Sequence, residues 1–482
     1  MIPLTGFSPD LPPETQGIMT ECDGLLPSMN TFISAPSPID AGLGAISAKA
    51  QGFAVTRKTD NTTRVFCGNS TKLYEQSGGA WSDKSGSVYS VGVDERWRFV
   101  QFGDVTLASA KSATIQAITT SNFADASGTA PKAAIIETIN NQVFAFNING
   151  MGFGDQADRW ACSALGSYTD WTPSVATQCV SGQFLDSPGG ITAGKQLGSI
   201  IVAYKERAMY VGQYVGAPEV WNWQRVPGDV GTPVNEAVVN TGTQHFFIGT
   251  DDFFMFDGTR PVSLNSPLRQ WFFSNLDQKY AYRIQGAYDR INKRAYWWFP
   301  TKTSNGSLIT CLVYHIQTGQ WGKFDQEIEY VADYVSSGIT YDSLGSVYST
   351  YNDLPADVSY DSPFWNSGSS VIAIFKTDHK AYQLSGAATA ASFTTGHFGD
   401  NVNFSTIKRV RPRFLASPTS STLDHQYSNY DADDFVTGNT STYDGKYYDL
   451  LWSARWHKMK FNFTGPVSIS GFDPVFVTDG SE

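Results

Sequence analysis

The feature that most constrains this chain is a rhythm of short strand patterns that begins near Gly52. Short apolar runs alternate with turn residues, and like sub-motifs return at intervals of roughly forty to fifty residues, the period of propeller blades. "TKLYE" (71–75), "RAMYVG" (207–212), "FFMFDG" (253–258) and "KAYQLSG" (380–386) occupy like places. So do "GAWSD" (79–83), "WNWQR" (221–225) and "GQWGKF" (319–324). The shared plan is an apolar strand, a polar turn, a second strand ending in Tyr or Phe, and a Trp near the exit. Helix-period patterns are almost absent. The plan predicts an all-β fold, a β-propeller of six to seven blades, in which radial repetition hides most strand edges. Six groups are clear; the seventh, "SSVIAIFKTDHKAYQLSG", is weaker.

Composition agrees. Aromatic residues reach 14% and charged residues only 16%, with 44 Gly among the 482 residues. Aromatics suit a pleated surface and Gly suits tight turns. The net charge of −11 argues against a tight grip on nucleic acid, which needs phosphate neutralisation. It still permits DNA to slide past without adhering. Five Cys at 22, 67, 162, 179 and 311 have no paired short spacing, so neither a disulfide framework nor a zinc site is expected. The start lacks the features of a signal peptide, and no apolar run is long enough to span a membrane. No membrane anchor is expected.

Three regions follow. Residues 1–48 are rich in Pro and Gly and read as an extended N-terminal arm. Residues 49–393 carry the propeller. Residues 394–482 change style and read as a small C-terminal β-domain, a platform, whose last strands pair with the arm. This region holds a basic cluster, Lys408, Arg409, Arg411 and Arg413, which either contacts DNA phosphates or an acidic partner, or protects an edge strand.

The chain offers little catalytic chemistry. The stretch "RWACSALGSYTDWTP" (159–173) invites comparison with the Asp box of glycan-cutting propellers, but Leu165 stands where that Asp belongs and Asp170 lies beside Trp171 instead. It reads as a blade corner. Asp251, Asp252 and Asp257 read as turn residues. Asp431 to Asp434 lack the Gly and distal Glu of a calcium loop. His245, His315, His379, His397, His425 and His457 fall in no metal-ligand spacing. "NGMGFG" (149–154) lies between strands, not before a helix. "WWF" (297–299) is either a stacking platform or core. The expected sets of catalytic, cofactor-binding and metal-binding residues are therefore empty: the chain is expected to be no enzyme and to need no cofactor.

Taken in order, these motifs resemble the tail nozzle, or tail accessory factor, family of short-tailed bacteriophages (podoviruses). The start "GFSPDLPPETQGIMTECDGLLPSMNTF" is similar to the family's Pro-rich arm. "TKLYEQSGGAWSDKSG" and "RWRFVQFGD" resemble its first blades. "DRWACSALGSYTDWTP", "YKERAMYVG", "HFFIGTDDFFMFDG" and "RAYWWFP…VYHIQTGQWGKFD" resemble later ones, and "TTGHFGD…VRPRF" its C-terminal region. The resemblance implies a structural virion protein made in the host bacterial cytoplasm and located in the virion tail. It implies a homo-hexamer ring below the portal and adaptor (head-to-tail connector) protein. That ring extends the DNA channel, retains packaged genome and opens for ejection. Double-stranded DNA passes through the lumen without sequence-specific binding, and a tailspike or tail fibre docks nearby. The intervals between groups are short, so loops such as "MGFGDQADR" (151–159) or "GQYVGAPE" (212–219) are expected to narrow the channel in place of a separate gate. The alternative is a glycan-binding or glycan-cutting β-propeller receptor module, which predicts convergent carboxylates at the propeller axis.

Overall fold

The computed structural model describes residues 1–60, 62–77, 79–335, 370–430 and 434–481. Among these residues the regular structure is almost entirely strand, with one short α-helix, Arg269–Asn275. Four sheets are separate four-stranded antiparallel units. The first comprises Gly52–Arg57, Thr63–Gly68, Leu73–Ser77 and Ala80–Asp83. Another runs Ala193–Leu197, Ile200–Tyr204, Met209–Gly216, Val220–Arg225, and the next Val238–Asn240, His245–Ile248, Phe253–Phe256, Pro261–Ser263. The fourth joins Tyr330–Val335, Ser370–Phe375 and Lys380–Gly386 to a strand from the chain's start, Ser37–Ala45.

Further meanders of the same kind lie inside larger sheets. Arg98–Phe102, Val105–Ala110, Ala113–Ile118 and Ala124–Asp125 share a sheet with Lys132–Ile139, Gln142–Asn149, Asp155–Cys162 and Ser181–Gln183. One pairing, Thr114 with Lys132, links the two sets. Gln285–Asp289, Arg294–Pro300, Leu308–His315 and Gln320–Ile328 open a ten-stranded sheet. The first strand of each unit packs beside the first strand of the next, and Tyr330–Val335 returns against Gly52–Arg57. This is a β-propeller arrangement.

Local chemistry explains the regularity. Two-residue turns join the inner hairpins, as at Gly103–Asp104 and at Asn140–Asn141, both left-handed at φ 49° and 53°. Asn tolerates that conformation, and such turns match the right-handed twist of the strands they join. Neighbouring units are cemented by aromatic contacts. Phe144 meets Trp221 edge to face at 4.8 Å, and Phe184 stacks on Tyr210 at 4.0 Å.

The remaining strands form a platform of two sheets. One continues the ten-stranded sheet through Leu25–Pro27, Phe32–Ser34, Ser468–Ser481, Asn403–Ala416 and Tyr448–Ala454. The other contains Gly6–Phe7, Ile18–Asp23, Ala390–Thr395, Trp456–Thr464, Ser420–Ser428 and Val436–Thr442. Ile407, Val410, Phe393, Phe461 and Phe472 are buried in a shared core. The chain ends meet here: Ile2 pairs with Phe472, and Pro3 with Gly471. A side chain at Gly471 would strike the Ile2 carbonyl oxygen at 2.3 Å, so the approach requires Gly.

Residues 1–48 are thus extended, with strands paired to both the platform and the propeller. The boundary at 393/394 falls inside strand Ala390–Thr395. Several expectations need correction. The basic strand Asn403–Ala416 pairs on both sides, with Tyr448–Ala454 and Ser468–Ser481, so its charges protect no edge. Trp297, Trp298 and Phe299 are wholly buried and cannot stack on bases. The loop within 151–159 joins the second and third strands of its unit, and that within 212–219 joins the third and fourth.

Candidate functional site

The first strands converge on an axial cavity of about 410 Å³. Staves that lean around an axis cannot interdigitate with a facing sheet, so a small polar space remains between them. Six charged side chains line it: Arg98, Glu137, Lys195, Glu236, Arg290 and Asp333. They come from different repeats, so only closure of the ring brings them together.

Arg98 and Glu236 form the best-defined pair. The guanidinium forks onto the carboxylate, Nε to Oε1 at 2.8 Å and Nη2 to Oε2 at 2.9 Å. A third N–H of Arg98 donates to the Ala134 carbonyl. Burial works to raise the Glu236 carboxyl, and the Arg98 guanidinium overrides it and holds it below the usual carboxylate range. Such a bidentate, charge-assisted pair fixes geometry as well as charge. Glu137 and Asp333 behave otherwise. Burial pushes the Glu137 carboxyl up, against the pull of Lys195. Burial also raises Asp333, whose Oδ1 accepts the Tyr288 backbone N–H at 3.3 Å. Carboxyls shifted in this direction are disposed to hold a proton and to donate hydrogen bonds.

The segments that lead into the first strands are tied together at one end of the cavity. The Gln51 side chain donates to the carbonyls of Gly92 and Glu95, and Trp97 donates its backbone N–H to Gln51 at 2.9 Å. Arg283 pairs with Asp94 at 2.7 Å. Glu329 accepts from the Ala50 N–H at 3.1 Å and from His379 Nδ1 at 3.0 Å. This end is a ring of committed polar contacts.

The residues singled out in the sequence lie elsewhere. Ser163 accepts the Val143 N–H at 2.9 Å, Asp170 caps Thr172 at 3.0 Å, and Trp171 is buried with its indole N–H on Tyr168. The stretch 159–173 is a strand end and a corner. Asp252 and Asp257 bind neighbouring turn N–H groups at 2.8 and 2.9 Å, and Asp251 lies near Arg269. The turn at 149–154 carries four left-handed residues, Gly150 to Gly152 and Gly154. Arg413 pairs with Asp473 and Arg409 with Asp449, while Lys408 and Arg411 are exposed. Asp431 to Asp433 lie outside the described residues. All five cysteines are buried as free thiols, and burial pushes Cys22 up to about 11. His245 bonds Tyr204 at 2.7 Å, His315 bonds Thr318 at 2.9 Å, and His425 bonds His457 at 2.9 Å. Among the described residues no three His, Cys, Asp or Glu side chains stand together as a metal site.

Sequence reasoning missed the axial charges. The signal was a charge inside an otherwise apolar first strand, as at Glu137 in "IIETI" and Arg98 in "RWRFV".

No family model matches the chain, and no curated protein is significantly similar to it. Among solved structures it is similar to the computationally designed Ika8 protein at 11% identity, over 80% of this chain and 98% of that one, with a TM-score of 0.40. It is similar to BamB from Moraxella catarrhalis at 9% identity, over 75% of this chain and 94% of that one, with a TM-score of 0.39. These likenesses are too loose to bear on function.

Proposed function

We propose that the chain is a structural subunit of a virion, the tail nozzle of a short-tailed bacteriophage, built on a seven-bladed propeller. The blade number rests on the closed order of first strands, each beside the next. On this reading six copies form a ring below the portal and adaptor, retain packaged DNA and open for its ejection. A tailspike or fibre attaches nearby. The axis of a single propeller is crowded by its own side chains and passes no duplex, so the DNA lumen lies between copies. The negative charge of each copy then keeps DNA from adhering during exit.

The observation that carries the reading is the outer face of the platform. In-register neighbours share a face of a sheet. Arg411 faces Asp473, and Arg409 lies between Val475 and Asp449. Val475 is 42% exposed, and the nearby Leu451 is 73% exposed. Apolar side chains set among charges on a paired sheet suit contact with another subunit. The ordered resemblance along the chain supports the same reading. The test is mass spectrometry of gradient-purified particles, with copies counted against the portal protein. Half as many copies as a twelve-fold portal is the expected result, and absence from the particles removes the reading.

One observation favours the glycan-binding alternative: Glu137, Glu236 and Asp333 converge on the axial cavity. Glu236 is committed to Arg98, which leaves two carboxyls for a sugar. A glycan array decides this, because saturable binding that is lost in Asp333→Asn would establish it.

A further inference from the structure

Arg96 and Lys49, on segments that lead into the strands around the axial cavity, make no ion pair among the described residues, and we propose that they hold a small free oxyanion of the phosphate class. This inference does not depend on the virion reading. Arg96 precedes Trp97 and Arg98 on the segment that leads into the second unit, and it is only 6% exposed. Its Nη1 is buried and has no hydrogen-bond partner. A buried guanidinium is an expensive group to leave uncompensated.

The carboxylates nearby are already used. Glu236 gives both oxygens to Arg98. Asp94 accepts from Arg283 Nε at 2.8 Å and from the Tyr282 hydroxyl at 3.0 Å. Glu329 accepts from Ala50 and His379. Four cations, Lys49, Arg96, Arg98 and Arg283, therefore meet three carboxylates, and among the described residues neither Lys49 nor Arg96 makes an ion pair. The half-buried Lys49 responds to this surplus. Burial lowers its affinity for a proton, and the guanidinium groups of Arg96 and Arg283 lower it further, against the pull of Glu329 and Asp94.

The frame is fixed before any ligand arrives. Gln51 binds the segment 92–97 through its side chain and backbone, which holds Lys49 and Arg96 on adjoining segments. An oxyanion with several oxygens can take the Arg fork and the Lys ammonium together, where a halide cannot. Trp97 and Arg98, which follow Arg96, line the cavity of about 410 Å³.

The test is titration of inorganic phosphate into the full chain by calorimetry, at constant ionic strength, with chloride as the control ion. One saturable site per chain is expected, with Arg96→Gln and Lys49→Gln each weakening it by about tenfold or more. In phosphate-free buffer Arg96→Gln should melt no lower than the parent, because it removes an uncompensated charge. Absence of saturable binding in the parent overturns the proposal. So does unchanged binding in Arg96→Gln, or a lower melting temperature for it without phosphate, since Arg96 would then be structural. If Arg96→Gln does not fold, the more exposed Lys49→Gln decides: equal affinity refutes the site.

Discussion

The propeller and the platform are both antiparallel sheet, yet they are assembled by opposite rules. In the propeller nearly every strand pairs with its neighbour in sequence, as Ile200–Tyr204 pairs with Met209–Gly216. In the platform the partners come from opposite ends of the chain, as when Phe32–Ser34 pairs with Ser468–Ser481. Local pairing needs little loop closure and lets each repeat form its own hairpins. Distant pairing must wait until the rest of the chain is in place. The single strand Ser37–Ala45 belongs to both worlds, because it comes from the stitched N-terminal segment and completes the last propeller unit.

The harshest way to break this comparison is to delete residues 1–48. The platform would lose its strands at Ile18–Asp23, Leu25–Pro27 and Phe32–Ser34, and the last propeller unit its outer strand. We expect loss of cooperative folding for the whole chain, not release of an intact propeller. Circular dichroism melting of the truncated chain checks this. A sharp transition near that of the parent would mean that the stitching is dispensable.

A pair of core substitutions sharpens it. Phe461 is buried in the platform between Phe393 and Phe472, and Phe144 is buried between two propeller units. Each Phe→Ala change should cost about 3–5 kcal/mol. The spread of the damage should differ. Hydrogen exchange in Phe461→Ala should rise in residues near both chain ends, whereas in Phe144→Ala it should rise mainly from Ile135 to Trp221. Equal spread in both variants would show that the two regions open as one unit.

The same contrast explains what the sequence could reveal. "TKLYE", "RAMYVG", "FFMFDG" and "KAYQLSG" all include the third strands of their units, and Trp81, Trp223 and Trp321 all lie on fourth strands. Repeated local environments demand repeated residue types, so the meanders were legible. The platform was legible only in outline: its last strands are expected to pair with the arm, and they do, but nothing near Ile2 announces that Phe472 is the residue opposite it. Strand pairing across such a distance is fixed by the whole fold and leaves no local signature. The axial charges were hidden for a related reason: Arg98 and Glu236 are separated by 138 residues and meet only when the ring closes.

Acid gives a smaller, graded effect. In the platform His425 Nε2 and His457 Nδ1 share a hydrogen bond, and His457 Nε2 faces the Ser405 carbonyl at 3.0 Å. Burial holds His425 down at about 4, with the neighbouring His457 adding to the effect. In the propeller burial holds His245 down at about 4 as well. An unfolded histidine takes its proton near 6.5. Stability should therefore be full above about 6.5 and fall as the pH drops towards 4, because only the unfolded chain gains protons in that window. Each such histidine contributes on the order of 1–3 kcal/mol to the loss. His425→Asn should flatten part of the decline and leave the part due to His245, which urea melts at pH 7.5 and 5.0 would resolve.

The smallest expected effect tests what the platform face is for. Leu451 sits at φ 52° and is 73% exposed, inside the strand Tyr448–Ala454. A left-handed residue other than Gly or Asn carries strain, and an exposed Leu recovers little of it by burial. Leu451→Asn should therefore stabilise the isolated chain slightly, by about 0.5–1 kcal/mol, read as a higher melting temperature. The local propeller, whose exposed turns already carry Asn140 and Asn141 in this conformation, should show no change in exchange. If Leu451 serves contact between copies, the same variant should assemble less readily in sedimentation velocity with the adaptor protein present. A more stable chain that assembles less well would mean that the strained leucine is kept for its neighbours and not for its own fold. A more stable chain that assembles normally would move the contact off this face.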